Sequence, residues 1–351
     1  MTKSPRRRRA VQVALGLALA ALLAGCASDA PQDSLKPAGP YAEKIDNLFT
    51  PVFLIAVFVF VVVELMVLFV VIKFRRRPDD DDTEFPQQLH GNTKLEIGWT
   101  ILPALVLGIV GVVSVPVLFD LNSKPDDAME VTVYGQKYWW AYEYGEQADY
   151  GISQAITTAN ELHIPADTDV YLTLESKDVV HSFWAPKLNG KHDVVPGRKH
   201  TWLIQADQPG VYSGQCAEFC GTSHANMRLK VVAHDKASWA KWVQEMEAPV
   251  AKPTSGLAAE GYELFSAKGC SGCHQVDGQY EVVNKASPPA PNLTKLFTRD
   301  CFAGCIYDLT DRNEVEAWLR NPQRKAGSLM VIGQLSEAEI DRLYAYLETL
   351  K

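Results

Sequence analysis

Two long apolar runs, residues 48–74 and 97–119, constrain this chain more than any other feature. Each exceeds the ~20 residues that an α-helix needs to cross the hydrocarbon core of a bilayer. They predict a transmembrane hairpin over residues 41–120. The first run ends in Lys73, Arg75, Arg76 and Arg77, and an excess of basic residues marks cytoplasmic loops. The segment between the runs is therefore expected in the cytoplasm, and everything beyond residue 120 outside it. Glu64, inside the first run, is expected to face a partner subunit, because a carboxyl in lipid is costly. Pro103 and Pro116 are tolerated in the second, where neighbouring groups satisfy the freed carbonyls.

The N-terminus points to the same topology. Arginines at positions 6–9 precede a short apolar stretch and then Leu23-Ala24-Gly25-Cys26. A basic segment followed by a short apolar core reads as a secretory signal over residues 1–25. Its ending resembles the lipobox of bacterial lipoproteins, which implies lipidation of Cys26. The expected location is the bacterial inner membrane, multi-pass, with the soluble part on the periplasmic side.

With 351 residues, the chain is long enough for two or three domains. A net charge of −8 argues against nucleic acid as a partner and suits a surface that meets a basic protein. From 129 to about 233 the sequence runs in short alternating strands such as Val131-Thr132-Val133-Tyr134 and Val170-Tyr171-Leu172-Thr173-Leu174. Turn signals such as Val195-Pro196-Gly197 separate them. This is the pattern of an antiparallel β-sandwich or barrel.

That framework carries Cys216-Ala-Glu218-Phe-Cys220-Gly-Thr-Ser-His224-Ala-Asn-Met227, with His181 far upstream. A single electron-transfer copper takes one thiolate, two imidazoles and a weak thioether or carbonyl. His181, Cys220, His224 and Met227 already supply that set, so Cys216 is surplus to one copper. Two thiolates bridge two copper ions, each ion taking one histidine, with Met227 and the Glu218 carbonyl as weak outer ligands. A disulfide between Cys216 and Cys220 is the plain alternative in an oxidising compartment. Zinc fits less well, since it seldom recruits methionine. His163, His192, His200 and His234 lack partners at ligand spacing and read as surface or structural residues.

Asp235 is placed to cap a helix reaching residue 247, and 248–256 reads as a linker. A helix over 257–267 then leads into Cys270-Ser-Gly-Cys273-His274. Cys-x-x-Cys-His attaches a c-type haem: both thiols bond the vinyl groups, and the histidine ligates the iron. A redox dithiol is the alternative, but no strand–helix–strand pattern surrounds it. Met330, the only methionine after His274, is the candidate second ligand; a buried core methionine is the plainer reading. Ser336-Glu-Ala-Glu339 reads as a capping box for the last helix, and Asp311 with Glu314 opens the one before it. Cys301 and Cys305 lack a histidine at haem spacing and are expected to form a local disulfide. Residues 257–351 resemble a class I cytochrome c.

The motifs His181-Ser-Phe-Trp184, Asp193-Val-Val-Pro196-Gly197-Arg198 and the 216–227 run resemble subunit II of haem–copper cytochrome c oxidases, over roughly residues 41–245. The resemblance implies a cupredoxin barrel over 129–247 that holds the binuclear centre CuA. Its ligands would be His181, Cys216, the Glu218 backbone, Cys220, His224 and Met227. It also implies a magnesium, shared with subunit I, at the Glu218 side chain. Leu95-Glu96-Ile-Gly-Trp99 is similar to the start of the family's second span, which makes Glu96 a proton-path candidate. Tyr138 stands where the family has an electron-accepting tryptophan, and is the electron-entry candidate.

A subunit II that ends in a cytochrome c resembles the caa-type oxidases. The resemblance implies transfer of electrons from covalent haem c to CuA and on to subunit I, where oxygen becomes water with proton translocation. Subunit I, subunit III and an upstream cytochrome or quinol-oxidising complex are the expected partners. The chain alone carries no complete active site. Two rival readings are the electron-transfer subunit of a copper-containing nitric oxide reductase and a copper-handling binding protein.

Overall fold

A computed structural model of the chain describes residues 30–75, 90–281 and 290–351, together with positions 13, 16 and 17. Cys26, Arg76 and Arg77 lie outside the described residues. Two helices come first, α1 (Pro40–Lys73) and α2 (Thr93–Asn122). Proline in its first turn starts α1, where its missing N–H has no helical partner to lose. The Asn92 side chain caps α2 by accepting from the Lys94 and Leu95 amides. At 34 and 30 residues the helices are about 50 and 45 Å long, so both outrun the hydrocarbon core. Along their most apolar stretches neither helix buries a residue within the described chain. Apolar surface of this extent needs lipid or other helices to cover it.

One end of this hairpin is anchored to the soluble part. Tyr41 and Leu121 pack with Leu203, and the Tyr41 hydroxyl donates to Asp169 at 2.6 Å. Lys44 pairs with Asp120 across the two helices. The chain entering α1 lies flush against the β domain, and a Cβ on Gly39 would come 1.9 Å from the Gln205 carbonyl oxygen. Only glycine permits that approach.

The β domain has ten strands: β1 (Met129–Gln136), β2 (Trp139–Tyr144), β3 (Ile156–Ala159), β4 (Glu161–Pro165), β5 (Val170–Ser176), β6 (His181–Trp184), β7 (His192–Val194), β8 (His200–Ile204), β9 (Gly210–Cys216) and β10 (Arg228–His234). They form two five-stranded sheets, ordered β3-β2-β1-β5-β8 and β4-β10-β9-β6-β7. β1 runs parallel to β5, and β4 parallel to β10. Alternation sets the core: Met129, Val131 and Val133 of β1 are buried with Leu172 and Leu174 of β5. The alternating pattern predicts a sandwich and the family resemblance a cupredoxin-like one, as found. The parallel β1/β5 and β4/β10 pairs depart from the all-antiparallel expectation because strand period carries no direction.

Helix α3 (Lys236–Glu247), capped by Asp235, lays Trp239 and Trp242 on the β domain. Beneath it, His163 Nδ1 and His234 Nε2 lie 2.8 Å apart, and the His163 ring stacks on Trp242. These two histidines, unpartnered in sequence, are a structural pair.

The last domain is built from α4 (Gly256–Ala267), α5 (Arg312–Arg320) and α6 (Glu337–Leu347), with a two-residue-strand ribbon, β11 (Cys301–Phe302) and β12 (Tyr307–Asp308), before α5. Asp311 caps α5 and the Ser336/Glu339 capping box opens α6. Phe265, Ile340, Leu343, Tyr346 and Leu347 form the core. Helices α4 and α6 cross so closely that a Cβ on Gly261 would lie 1.9 Å from the Arg342 carbonyl oxygen.

Burial, reinforced by the neighbouring His163, pushes the His234 imidazole from its usual 6.5 down to about 4. The unfolded chain therefore binds a proton in that window that the folded domain refuses, so stability falls with pH there. Urea unfolding of the chain, followed by tryptophan fluorescence, should show the β domain weakening as pH drops from 6.5 towards 4. His234→Phe should flatten that slope; an unchanged slope would rule His234 out as its source.

Candidate functional site

Strand pairing assembles the site. β6 begins at His181 and lies antiparallel to β9, with Phe183 opposite Cys216. β9 ends at Cys216, the chain loops through 217–227, and β10 returns alongside. The loop closes where the Cys216 amide donates to the Met227 carbonyl at 2.8 Å. Cys220 and His224 fold back between those two ends, His224 on a short 3-10 turn (His224–Asn226).

The donor atoms converge. Cys216 Sγ and Cys220 Sγ are 3.9 Å apart. His181 Nδ1 lies 3.9 Å from Cys216 Sγ, and His224 Nδ1 lies 3.8 Å from Cys220 Sγ. Met227 Sδ is 3.9 Å from Cys220 Sγ, and the Glu218 carbonyl oxygen is 3.3 Å from Cys216 Sγ. His181 and Met227 are fully buried, Cys216 and Cys220 nearly so, and His224 and Glu218 half-buried. All six positions of the sequence-derived ligand set therefore meet in one place. The two sulfurs are free thiols, far outside the ~2.05 Å of a disulfide. Ligands about 2.0–2.3 Å from a shared ion lie roughly 3.3–4 Å from one another, the spacing seen here.

Electrostatics favour a charged sulfur. The hydrogen bond between the two sulfurs holds the Cys216 thiol far below its ordinary range and raises Cys220. Burial works against a charged His181, but Asp178 and Cys216 outweigh it and raise its pKa. Asp178 was not singled out in the sequence. Its Oδ1 meets His181 Nε2 at 2.7 Å, and its carboxylate also accepts from the Lys137 amide at 2.7 Å and the Val179 amide at 2.6 Å. The carboxylate thus fixes the ring and aims Nδ1 at the sulfurs. A carboxylate three residues before the histidine was the only signal available.

Tyr138 occupies the turn between β1 and β2 and is buried. A Cβ on Gly221 would lie 2.5 Å from its Oη, so the ring rests on the loop that carries Cys220. Glu96 sits near the start of α2, most of a helix length from the β domain, and its Oε1 accepts from the Asn92 amide at 3.3 Å.

In the last domain, Cys270 begins a short turn after α4, and Cys270 and Cys273 are both free. His274 is half-buried, and burial lowers its pKa. Its Nδ1 donates to the Pro291 carbonyl at 2.8 Å, which leaves the Nε2 lone pair for a ligand. Met330 lies in the segment between α5 and α6, and its Sδ accepts from Trp318 Nε1 at 3.2 Å. Cys301 Sγ and Cys305 Sγ are at bonding distance, 1.93 Å.

Residues 129–234 match the family model for the periplasmic domain of cytochrome c oxidase subunit II, and 32–117 the model for its transmembrane domain. Residues 258–351 match the cytochrome c family. A cytochrome c oxidase subunit 2 from Alkalihalophilus pseudofirmus is 37% identical over 343 residues, 95% of this chain and 95% of the relative. One from Bacillus subtilis is 35% identical over 348 residues, covering 94% of each chain. A third, from Bacillus sp. (strain PS3), is 37% identical over 297 residues, 79% of this chain and 80% of the relative. The chain belongs to the cytochrome c oxidase subunit II family, carries a cytochrome c domain after its β domain, and is a component of a haem–copper oxidase.

Proposed function

We propose that the chain passes electrons from a covalent haem c, held by Cys270, Cys273, His274 and Met330, to a CuA centre, and on to subunit I for proton-coupled reduction of oxygen to water. The observation that carries this reading is the pair of buried free thiols 3.9 Å apart, each flanked by an imidazole Nδ1 within 3.9 Å. Two thiolates and two neutral imidazoles suit copper, with Met227 and the Glu218 carbonyl at the weak outer positions. Bound there, a binuclear copper would take up and release one electron spread over both ions.

The residues of the last domain fit a haem by their own chemistry. The Pro291 carbonyl holds His274 in the tautomer that offers Nε2. Leu329 and Val331, 70% and 84% exposed on either side of Met330, present apolar surface that a porphyrin would cover. Methionine opposite histidine favours a high potential.

The hairpin supports a membrane placement. The ends of α1 and α2 that pack on the β domain belong on the periplasmic side, and Lys73 with Arg75 at the other end belongs in the cytoplasm. The exposed apolar flanks of both helices supply the surface for subunit I, with subunit III and an upstream donor completing the assembly. A bond between Cys301 and Cys305 staples the ribbon of the last domain, and a lipid on Cys26 adds a second anchor.

Metal analysis of the purified chain should give two copper ions for each haem iron, with an EPR signal delocalised over both coppers. Iron without tightly held copper would overturn the relay. Met227→Leu should shift the copper spectrum and potential and leave the haem bands untouched, whereas Met330→Ala should lower the haem potential with copper content intact. Asp178→Asn, which weakens the anchor of His181, should reduce copper affinity by about 10–100-fold. Unchanged affinity, read by competition with a chelator, would remove Asp178 from the site.

A further inference from the structure

The cytochrome domain does not hang free on its linker. It is pegged into the β domain by two buried charged side chains, one from each side. Glu161, at the start of β4 and 3% exposed, accepts from the Asp300 amide at 2.9 Å and the Cys301 amide at 3.1 Å. Reciprocally, Lys325, between α5 and α6 and 4% exposed, donates from Nζ to the Tyr138 and Ala303 carbonyls, each at 2.7 Å. Between the pegs, the Arg228 amide donates to the Gly304 carbonyl at 3.0 Å, and the Ser223 hydroxyl to the Ala326 carbonyl.

We infer that Glu161 and Lys325 are positioning residues which, with the 300–308 ribbon, clamp the cytochrome domain in one pose and route the relay through a fixed contact at Tyr138. The inference rests on the electron-relay reading above. A flexible tether alone supplies an effective concentration near the millimolar range and no preferred orientation. Charge-assisted hydrogen bonds that exclude water supply the orientation. Burial lowers the Lys325 ammonium to about 7, and the Tyr138 and Ala303 carbonyls that accept from it favour the charged form.

The ribbon is shaped for this fit. Ala303, Gly304 and Cys305 are three consecutive left-handed residues, with φ of 52°, 77° and 55°. Such backbone in non-glycine residues persists where its surroundings impose it. A Cβ on Gly304 would lie 2.4 Å from the Asn226 carbonyl oxygen and 2.9 Å from that of Tyr138, so the two domains touch backbone to backbone. The pose puts the Tyr138 ring between the two redox loops. On one side a Cβ on Gly327, three residues before Met330, would be 3.2 Å from Tyr138 Cε2. On the other side lies Gly221, next to Cys220.

The test uses the full detergent-solubilised chain with two readouts, amide hydrogen exchange and the rate of intramolecular electron transfer after rapid haem reduction. Glu161→Ala and Gly304→Ala should each speed exchange at 300–305 and slow transfer by roughly tenfold or more. Copper EPR and haem potential should stay as in the parent. Glu161→Gln, which keeps an acceptor oxygen, should fall between parent and Glu161→Ala. Exchange at 300–305 unchanged in both alanine variants would overturn the clamp. Faster exchange with unchanged transfer would overturn its role in routing electrons. A parent chain that takes up neither metal would refute the relay itself, while the exchange readout would still decide the clamp.

Discussion

The hydrogen bond from the Cys216 amide to the Met227 carbonyl closes a loop, and the site depends on that closure. With its ends pinned between two paired strands, the 217–227 segment has little choice but to turn Cys220 and His224 inward. The second imidazole comes from β6, on the far side of Cys216, and is held there by strand pairing. A cluster of thiols, imidazoles and a thioether is expensive to bury without charge balance. Here its geometry follows from strand pairing and the closure of the 217–227 loop.

Around this cluster the support is layered. His181 is gripped on its other nitrogen by Asp178, and Asp178 also holds the Lys137 amide in the turn before Tyr138. One carboxylate thus couples the orientation of an imidazole to the position of the residue that faces the cytochrome domain. Gly135 makes room for the His181 ring, since a Cβ there would lie 2.9 Å from His181 Cδ2. The membrane hairpin is tied in separately, through Tyr41, Leu121 and Leu203. The copper-type site, the haem motif and the membrane anchor are therefore three units with few but buried connections.

Much of this was legible in the chain. The two spans, the alternating strands, the six converging ligand positions, the Cys-x-x-Cys-His motif and the helix caps at Asp235, Asp311 and Ser336 are local patterns. Period, spacing and capping chemistry act over a few residues, so sequence alone exposes them. Asp178 was within reach of the same logic, since it lies three residues before His181, but carboxylates at that spacing are too common to single out. The pairing of His163 with His234, across 71 residues, had no local signal at all.

What the sequence by itself determined is the pair of apolar spans, the inventory of candidate metal and haem ligands, and the class of each domain. Those follow from hydrophobic length, strand period and the coordination chemistry of cysteine, histidine and methionine. Only the tertiary structure decided how the domains meet. Nothing in the chain singles out Glu161 or Lys325; across the interface they meet backbone groups 139 and 187 residues away. A backbone amide or carbonyl carries no sequence signature, so contacts made to it stay invisible until the fold brings the two sides together.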